Sequence, residues 1–370
     1  PRHLLPLTTL ATPSSSSILR VELGNMEFKQ PPRKTVYYPI TGDPEGGALY
    51  IYGDANAKNI ALMSAGFPDD HKVFIPLASR LAKETDTLVG LTCLPGYDDR
   101  PDKPWKEHKK FTSDGYSFDE LAACFREAAK ALRSESSCPT ETKFTGIFHD
   151  WGVVAGAMWA NRAIADGSEN APNELVYFDV LVPAHPSTPD MPPADGKSSI
   201  IQLIVNHYYQ FMLGLAFGIQ CYVGDIFAII FFLFAVISLL MPQLSPTGKI
   251  DSDTRKALGD PSISHIIYMC YPYFNMVYRQ KYNVFREDST LPRDLSRVPV
   301  LYMYGTEKRA NFHSEQSLKV LQREYDEKRS KSEAVAVDGA GHWLYLQNPD
   351  FCYERVTKFM KEENKDKSSK

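Results

Sequence analysis

Short apolar runs along the chain alternate with longer segments of helical spacing. The runs "ALYIYGD", "NIALMSAGF", "DTLVGLTCLPG" and "KFTGIFHD" each stop at a loop-forming or acidic residue, which is typical of strands that end in loops. Between them, "VFIPLASRLAKE", "SFDELAACFREAAKAL" and "VVAGAMWANRAIADG" carry apolar residues three and four positions apart, which predicts helices. Ser117 and Glu120 have the spacing of a capping box at the start of the second helix.

The same alternation returns near the C-terminus. "VPVLYMYGT" and "EAVAVDGAGH" have the pattern of strands, and "HSEQSLKVLQREYDEK" and "PDFCYERVTKFMKEE" that of helices. Strands that alternate with helices at this spacing predict an α/β fold with a mostly parallel sheet and helices on both faces.

The alternation is interrupted by an apolar insertion. It contains "IFAIIFFLFAVISLLM", residues 226–241, and Asp225 is the one formally charged residue over 198–248. Extended back to 222–241, the run reaches the roughly 20 residues that a membrane-spanning helix needs. Two interpretations stay open: a transmembrane or membrane-contacting segment, and a hydrophobic lid helix buried on the main domain.

These patterns divide the 370 residues into one elaborated α/β domain with additions at both ends. We expect a disordered or targeting extension, a first part of the core, a helical lid, a second part of the core and a disordered tail, at 1–34, 35–185, 186–295, 296–362 and 363–370.

Composition narrows the function further. The formal net charge of −4 offers no basic excess of the kind that nucleic-acid binding requires. The six cysteines form no CxxC pair and no Cys/His ligand cluster along the sequence, which favours reduced thiols in an intracellular protein. No phosphate-binding GxxxxGKS or GxGxxG motif is present, and we expect neither a metal nor an organic cofactor. With the apolar insertion, the expected location is intracellular and membrane-associated.

The segment "GIFHDWGVVAG", residues 146–156, carries the candidate chemistry. A strand, a tight turn and a helix form the geometry of a nucleophile elbow, and Asp150 occupies the turn. A carboxylate there can attack an electrophilic carbon and form an ester, which a histidine-activated water then cleaves. His342, in a loop after a late strand, suits the second step because its pKa lies near neutrality.

At these residues the chain resembles the α/β-hydrolase epoxide hydrolases and haloalkane dehalogenases. "HDWG" resembles their nucleophile motif, "AGFPDD" their HGFP loop, "LPGYDDRPDKP" the segment that follows, "VPAHP" the entry to their lid and "AGHWLYLQNPD" their histidine loop. The resemblance covers roughly 35–185 and 295–362. It implies an α/β-hydrolase fold with an inserted hydrophobic helical lid, and an oxyanion hole at Phe67 and Trp151.

The resemblance also implies two lid tyrosines that hydrogen-bond the epoxide oxygen as the ring opens. "YQF" and "NMVYRQ" are similar to the family segments that hold them, which nominates Tyr209 and Tyr278. A phenol can donate to a developing alkoxide. Other lid tyrosines compete for the role, namely Tyr208, Tyr268, Tyr271 and Tyr273.

Four departures from the family pattern bear on this interpretation. Phe148 and Val153 stand where the elbow usually has glycines, and Ala65 replaces the histidine of the HGFP loop. The fourth concerns the acid that orients the histidine, because "YGTEKRANFHSE" has no acid at the matching place. Glu307 is the first candidate and Asp338 the second, while Glu315 and Asp179, the latter from an earlier strand, are further alternatives.

The sequence therefore predicts a hydrolase that opens an apolar, lipid-like epoxide through an Asp150 ester, cleaved by water that His342 activates. One alternative is a catalytically degenerate hydrolase-fold protein that binds lipid at a membrane, which the missing acid favours. Another is a haloalkane dehalogenase-like hydrolase, for which Trp151 could supply a halide donor. A serine esterase is disfavoured because the chain has no GxSxG motif.

Overall fold

The computed structural model describes residues 30–108, 114–139, 142–188, 191, 200–239, 261–279, 287–307 and 313–363. Most of the predicted N-terminal extension, residues 1–29, and of the predicted tail, residues 364–370, lies outside the described residues.

Eight strands form one sheet in the order β1-β2-β4-β3-β5-β6-β7-β8. The strands are β1 (Lys34–Ile40), β2 (Asp43–Tyr52), β3 (Asn59–Ser64), β4 (Thr87–Thr92), β5 (Lys143–His149), β6 (Glu174–Phe178), β7 (Val300–Gly305) and β8 (Glu333–Val337). β2 is antiparallel to β1 and β4, and all the other neighbouring strands are parallel. The predicted mostly parallel sheet is confirmed, and β1 is an addition to it.

Ten helices accompany the sheet in the described residues. They are α1 (Ile75–Glu84), α2 (Phe118–Ser134), α3 (Trp151–Ala165), α4 (Ile200–Tyr222), α5 (Asp225–Leu239), α6 (Ile263–Tyr268), α7 (Tyr271–Phe274), α8 (Glu315–Asp326), α9 (Leu344–Gln347) and α10 (Pro349–Lys361). Short 3₁₀ turns lie at His71–Phe74, Trp105–Glu107 and Glu287–Ser289, and a π turn at Asn275–Arg279. The capping box of Ser117 and Glu120 is present at the start of α2.

The sheet carries a hydrophobic core on each face. One core contains residues of α2, α3 and the inserted helices, including Phe125 and Trp159, and the other contains residues of α1 and α10, including Leu81 and Phe359. β4 and β6 are buried along their whole length, because helices cover them on both sides. This burial makes the central strands read as continuous apolar runs.

The helical insertion lies between β6 and β7, as predicted. α4 and α5 form a hairpin whose turn is at Gly224, with a φ of 129° that favours glycine. α4 packs closely on α7, since a Cβ at Gly214 would come within 3.1 Å of the backbone nitrogen of Phe274. The side-chain amide of Gln220 donates to the carbonyl of Ser264 at 2.9 Å and ties α4 to α6.

The prediction of a transmembrane helix over 222–241 is not supported. Across the part of the chain that the structure describes, no helix combines the length and the apolar character needed to cross a bilayer. α5 contains 15 residues, and the turn at Gly224 separates it from α4. Of the predicted segment 222–241, Tyr222 ends α4 and residues 225–239 form α5, while residues 240–241 lie outside the described residues.

All six cysteines lie among the described residues, and none of them is in a disulfide. Four of them are buried and two are partly buried.

Candidate active site

The elbow at Asp150 joins β5 to α3. Asp150 has a φ of 52°, a conformation that costs a non-glycine residue on the order of 1–3 kcal/mol. Close packing around the turn holds it there. A Cβ at Gly66 would lie 2.3 Å from the backbone nitrogen of Trp151, and one at Gly152 would lie 2.7 Å from the carbonyl oxygen of Ser64. The turn therefore projects the carboxylate at the carboxyl edge of the parallel strands, where sheets of this kind keep their sites.

The elbow tolerates Phe148 because glycines elsewhere make room for its ring. A Cβ at Gly156, one turn into α3, would lie 2.5 Å from that ring, and a Cβ at Gly146 would lie 2.7 Å from it. Phe148 thus stands where the family has a glycine before the nucleophile, and Gly146 and Gly156 leave the space that its ring needs. The remaining departures, Ala65 and Val153, are both buried apolar residues.

Two backbone N–H groups donate to the Asp150 carboxylate. Oδ1 accepts a hydrogen bond from the N–H of Phe67 at 2.7 Å, and the N–H of Trp151 also donates to the carboxylate. Burial raises the pKa of Asp150, while His342 and these two N–H groups act to lower it. If Asp150 becomes an ester, the same donors face the oxygen on which charge develops during hydrolysis.

His342 faces the other oxygen of Asp150. Its Nε2 lies 3.8 Å from Oδ2 of Asp150, which is too long for a hydrogen bond. Its Nδ1 donates a hydrogen bond to Oδ2 of Asp179. A carboxylate on Nδ1 fixes the tautomer that leaves Nε2 free to accept a proton. The imidazole is buried, with 3% of the residue exposed, so its orientation is also fixed by packing.

The structure does not bring the first two candidates for the orienting acid to His342. Glu307 and Asp338 both have exposed side chains, whereas His342 is buried and pairs with Asp179. Asp179 directly follows β6, has a φ of 70° and is fully buried. Because β6 lies beside β5 in the parallel sheet, its carboxyl end meets the elbow at one edge. Glu315, another alternative, is exposed at the start of α8.

Two lid tyrosines lie near the nucleophile, and only one of them was nominated from the sequence. The ring centroid of Tyr273 lies 5.0 Å from that of Trp151 and 5.4 Å from that of Phe67. Tyr209 packs edge-on against Tyr273 at 6.0 Å, and their hydroxyl groups are hydrogen-bonded. Burial and the charge of Asp150 raise the pKa of both phenols, which keeps them protonated as donors.

Tyr278, the other nominated tyrosine, lies elsewhere in the lid. Its hydroxyl donates to the carbonyl of Phe211 at 3.3 Å, and its ring packs against Phe211 and Phe274. Tyr273 occupies the expected place instead, five residues earlier in the chain. The match of "NMVYRQ" to the family segment is loose, and Tyr273 lies two residues before the π turn that contains Tyr278.

A third carboxylate, that of Asp69, lies close to His342 and has a side chain that is 9% exposed. It accepts a hydrogen bond from Nε1 of Trp343 at 2.8 Å and lies 3.9 Å from Nδ1 of His149. Nε2 of His149 donates to the carbonyl of His342 at 3.1 Å, and Nδ1 is hydrogen-bonded to the Tyr345 hydroxyl at 3.2 Å. Burial raises the pKa of Asp69 to about 7, against the effect of His342 and the Trp343 bond. Sequence reasoning missed Asp69, although it directly follows the oxyanion loop.

The fold also assembles metal-ligating side chains that the sequence spacing did not suggest. The ligand atoms of Asp69, His149 and His342 lie within 4.8 Å of one another, and a separate group has the same property, namely His71, Cys93 and Asp98. The first group includes His342, whose imidazole also belongs to the candidate active site. In the second, Asp98 already accepts a hydrogen bond from the Tyr50 hydroxyl at 3.0 Å.

A cavity of about 230 Å³ lies beside the oxyanion loop. The loop residues Pro68 and Asp69 form one wall, and His265 and Met269 of the lid form the other. Tyr97 also lines the cavity and donates to the carbonyl of Met269 at 2.6 Å. The lid and this loop thus enclose a cavity that Asp150 does not line, and the Asp150 side chain itself is 11% exposed.

No protein-family model and no curated protein matches this chain. Solved structures do match. A loop variant of a haloalkane dehalogenase from Bradyrhizobium elkanii superposes with a TM-score of 0.54 at 14% identity, over 88% of this chain and 96% of that one. The Cif epoxide hydrolase from Acinetobacter nosocomialis gives a TM-score of 0.53 at 14% identity, over 88% of each chain.

A third match has a different activity. A membrane phospholipase A, described as a bacterial virulence factor, gives a TM-score of 0.51 at 14% identity, over 85% of this chain and 82% of that one. The three matched proteins thus differ in chemistry while sharing one architecture. Together with the eight-stranded sheet and its inserted helices, these likenesses show that the chain has the α/β-hydrolase fold.

Proposed function

We propose that the protein is an epoxide hydrolase that opens an apolar epoxide through an ester on Asp150. The observation that carries this proposal is the pairing of a carboxylate at the elbow with the phenols of Tyr209 and Tyr273. A carboxylate nucleophile suits an electrophilic carbon, and two neutral phenols suit an oxygen that becomes an alkoxide.

In the first step, Oδ2 of Asp150 attacks a carbon of the epoxide ring. The carbon–oxygen bond of the ring breaks as the new ester bond forms, and the ring oxygen takes a proton from one of the two phenols. The fixed N–H donors of Phe67 and Trp151 keep Oδ1 in place, so Oδ2 is the oxygen free to attack.

In the second step, a water molecule gives a proton to Nε2 of His342 and attacks the carbonyl carbon of the ester. Negative charge develops on Oδ1, opposite the N–H groups of Phe67 and Trp151. The carboxylate of Asp179 stabilises the imidazolium that forms. The intermediate then collapses, and the leaving oxygen takes the proton from the His342 imidazolium to complete the diol. The proton on the new Asp150 carboxyl group returns to the phenol that gave its proton in the first step, which regenerates the carboxylate.

The surroundings of the carboxylate favour an apolar substrate. The side chains of Phe67, Trp151 and Tyr273 pack edge to face beside Asp150. Aromatic walls with a few fixed polar groups are typical of sites for apolar small molecules. The lid composition agrees with this class, since Asp225 is the one formal charge over 198–248.

One observation favours a haloalkane dehalogenase as the second candidate. The indole N–H of Trp151 is buried and has no hydrogen-bond partner in the described structure. A buried donor without an acceptor costs about 1–3 kcal/mol, which a halide or an ether oxygen from a ligand would offset. The lipid-binder alternative has lost its main support, because it rested on the lack of an acid beside His342.

A single-turnover reaction in ¹⁸O-labelled water tests the ester mechanism. With enzyme in excess over a long-chain terminal epoxide, water oxygen should enter the Asp150 carboxylate, and the first diol should carry no label. Direct attack of water on the epoxide would label the diol at once and leave Asp150 unlabelled, which would contradict the proposal. Halide release from a matched long-chain haloalkane at a comparable rate would favour the dehalogenase.

A further inference from the structure

The α4–α5 hairpin presents a large apolar surface to solvent. Its exposed residues are Tyr222, Val223, Ile226, Phe227, Ile230, Leu233 and Phe234, and we call them the hairpin patch. Exposure reaches 72% for Ile226 and 73% for Phe234. Contiguous exposed apolar patches of this kind mark interaction sites on folded proteins.

The hairpin is anchored to the rest of the lid by its opposite face. Ala228 and Phe232, one helical turn apart, are buried, and Phe217 of α4 packs against Tyr268, Tyr271 and Phe274. The outer face is therefore presented by a packed element. Helical spacing places Ile226, Ile230 and Phe234 along one side of α5.

The composition of the hairpin patch indicates which kind of partner it can bind. Asp225 is the single formally charged residue over 208–234, and it lies at the start of α5 beside the hairpin turn. Protein interfaces normally carry a polar rim and about one hydrogen bond per 100–200 Å². The patch instead consists of aliphatic and aromatic side chains, and its charged neighbours lie at the turn end of the hairpin, where Asp225 begins α5 and the Tyr222 hydroxyl donates to the Asp114 carboxylate. Such a surface matches the hydrocarbon edge of a lipid bilayer.

The hairpin also connects this surface to the site. α4 carries Tyr222 at its outer end and Tyr209 near Asp150, 13 residues or about 20 Å apart along the helix. The same element that would contact lipid therefore supplies a wall of the active site. An apolar substrate dissolved in the bilayer would contact the lid before it entered water.

We propose that the hairpin patch docks the protein on one leaflet of a membrane, with α5 lying in the interface, and that the lid takes its apolar substrate from that leaflet. The statement about substrate rests on the proposed function. Docking itself requires no turnover, so the two can fail separately. The helices lie on the bilayer and do not cross it.

Flotation with vesicles of zwitterionic phosphatidylcholine tests the docking. The full-length protein should float with the vesicles, and an Ile226→Ser, Ile230→Ser, Phe234→Ser variant should lose about tenfold or more of the bound fraction. The matched control replaces Tyr37 and Tyr325 by serine, because these are exposed at 51% and 45% outside the hairpin. The control should float like the wild type, and all three proteins should hydrolyse a short, water-soluble epoxide at the same rate.

A second measurement keeps the proposal testable if the triple variant misfolds. A Phe227→Trp variant retains the patch, and its added fluorescence over the wild type should be quenched by brominated phosphatidylcholine. A Tyr325→Trp variant should show no such quenching. Failure of the wild type to float, equal flotation of the triple variant, or a patch that instead holds two copies together in a lipid-insensitive dimer would overturn the proposal.

Discussion

Asp179, at the end of β6, binds the imidazole of His342, at the end of the β8 loop, through Nδ1. The pair joins two strands that are separated in the sheet by β7. It brings a candidate nucleophile, base and acid together at one edge of the sheet, with Asp150 supplied by the turn after β5. The sequence alone left four candidates for the orienting acid, and Asp179 is the one that contacts His342.

Replacing Asp179 by asparagine should lower the hydrolysis rate by about 10²- to 10⁴-fold, because the imidazole loses its orienting carboxylate. Rapid-quench mass spectrometry should show the Asp150 ester accumulating, since ring opening does not need this pair. Glu307→Gln and Asp338→Asn are the matched controls and should hydrolyse normally. A normal rate in Asp179→Asn, or a large loss in either control, would show that the wrong acid has been assigned.

Tyr209→Phe and Tyr273→Phe should each slow ester formation by about 10- to 10²-fold, because each removes a donor to the developing alkoxide. The double variant should be nearly unable to open an epoxide. Tyr278→Phe serves as the control, since its hydroxyl bonds a lid carbonyl away from Asp150. Pre-steady-state burst kinetics report the step directly. Equal rates for all three single variants would remove the phenols from the mechanism.

Gly156→Ala should destabilise the protein, although alanine is favoured over glycine in a helix by about 1 kcal/mol. The new methyl group would meet the buried ring of Phe148, and overpacking of this kind costs about 1–3 kcal/mol. In a Phe148→Leu background the penalty should disappear, because the ring is gone. Denaturant unfolding of the four proteins gives the coupling free energy. A stabilising Gly156→Ala in the wild-type background would contradict the packing account.

Asp69 should make the free energy of unfolding depend on pH. The pKa of Asp69, about 7 in the folded protein, lies above the value of 3.8 for an unperturbed aspartate, so the folded state binds more protons between these values. Stability should therefore fall as pH rises from about 4 to about 7. Relative to wild type, Asp69→Asn should gain on the order of 4 kcal/mol between pH 4 and pH 8.

Asp350→Asn controls for loss of a carboxylate, because the Asp350 side chain is 73% exposed. Thermal or denaturant unfolding at several pH values measures both variants. A pH-independent difference between Asp69→Asn and wild type would show that the Asp69 carboxylate is ionised at the same pH in the folded and unfolded chains.

The sequence predicted the parts of the fold that local pattern controls. The elbow, the strands on either side of it and the capped helix α2 follow from apolar periodicity and from the Ser117 and Glu120 pair. β1 escaped prediction because it lies at the sheet edge, where its residues alternate between exposed and buried and include Pro39. The position of Asp179 depended on which strands are neighbours, and that information lies in the topology.

The lid shows a second limit of prediction from the sequence. α5 is apolar on all sides, so periodicity could not separate its buried face from its exposed one. The choice between Tyr273 and Tyr278 likewise depended on the π turn, which has no clear sequence signal. Phe148 looked incompatible with the elbow in the sequence. The structure accommodates its ring because Gly156 has no side chain there.

Trapping the ester on Asp150 tests the central claim most directly. Without the imidazole, His342→Gln should form the ester and fail to hydrolyse it. Intact-mass analysis after incubation with a long-chain epoxide should show a gain equal to one epoxide, located on the peptide that contains Asp150. An Asp150→Asn, His342→Gln variant should show no gain. Absence of the adduct in His342→Gln across terminal and internal epoxides and haloalkanes, with the variant folded, would contradict the account.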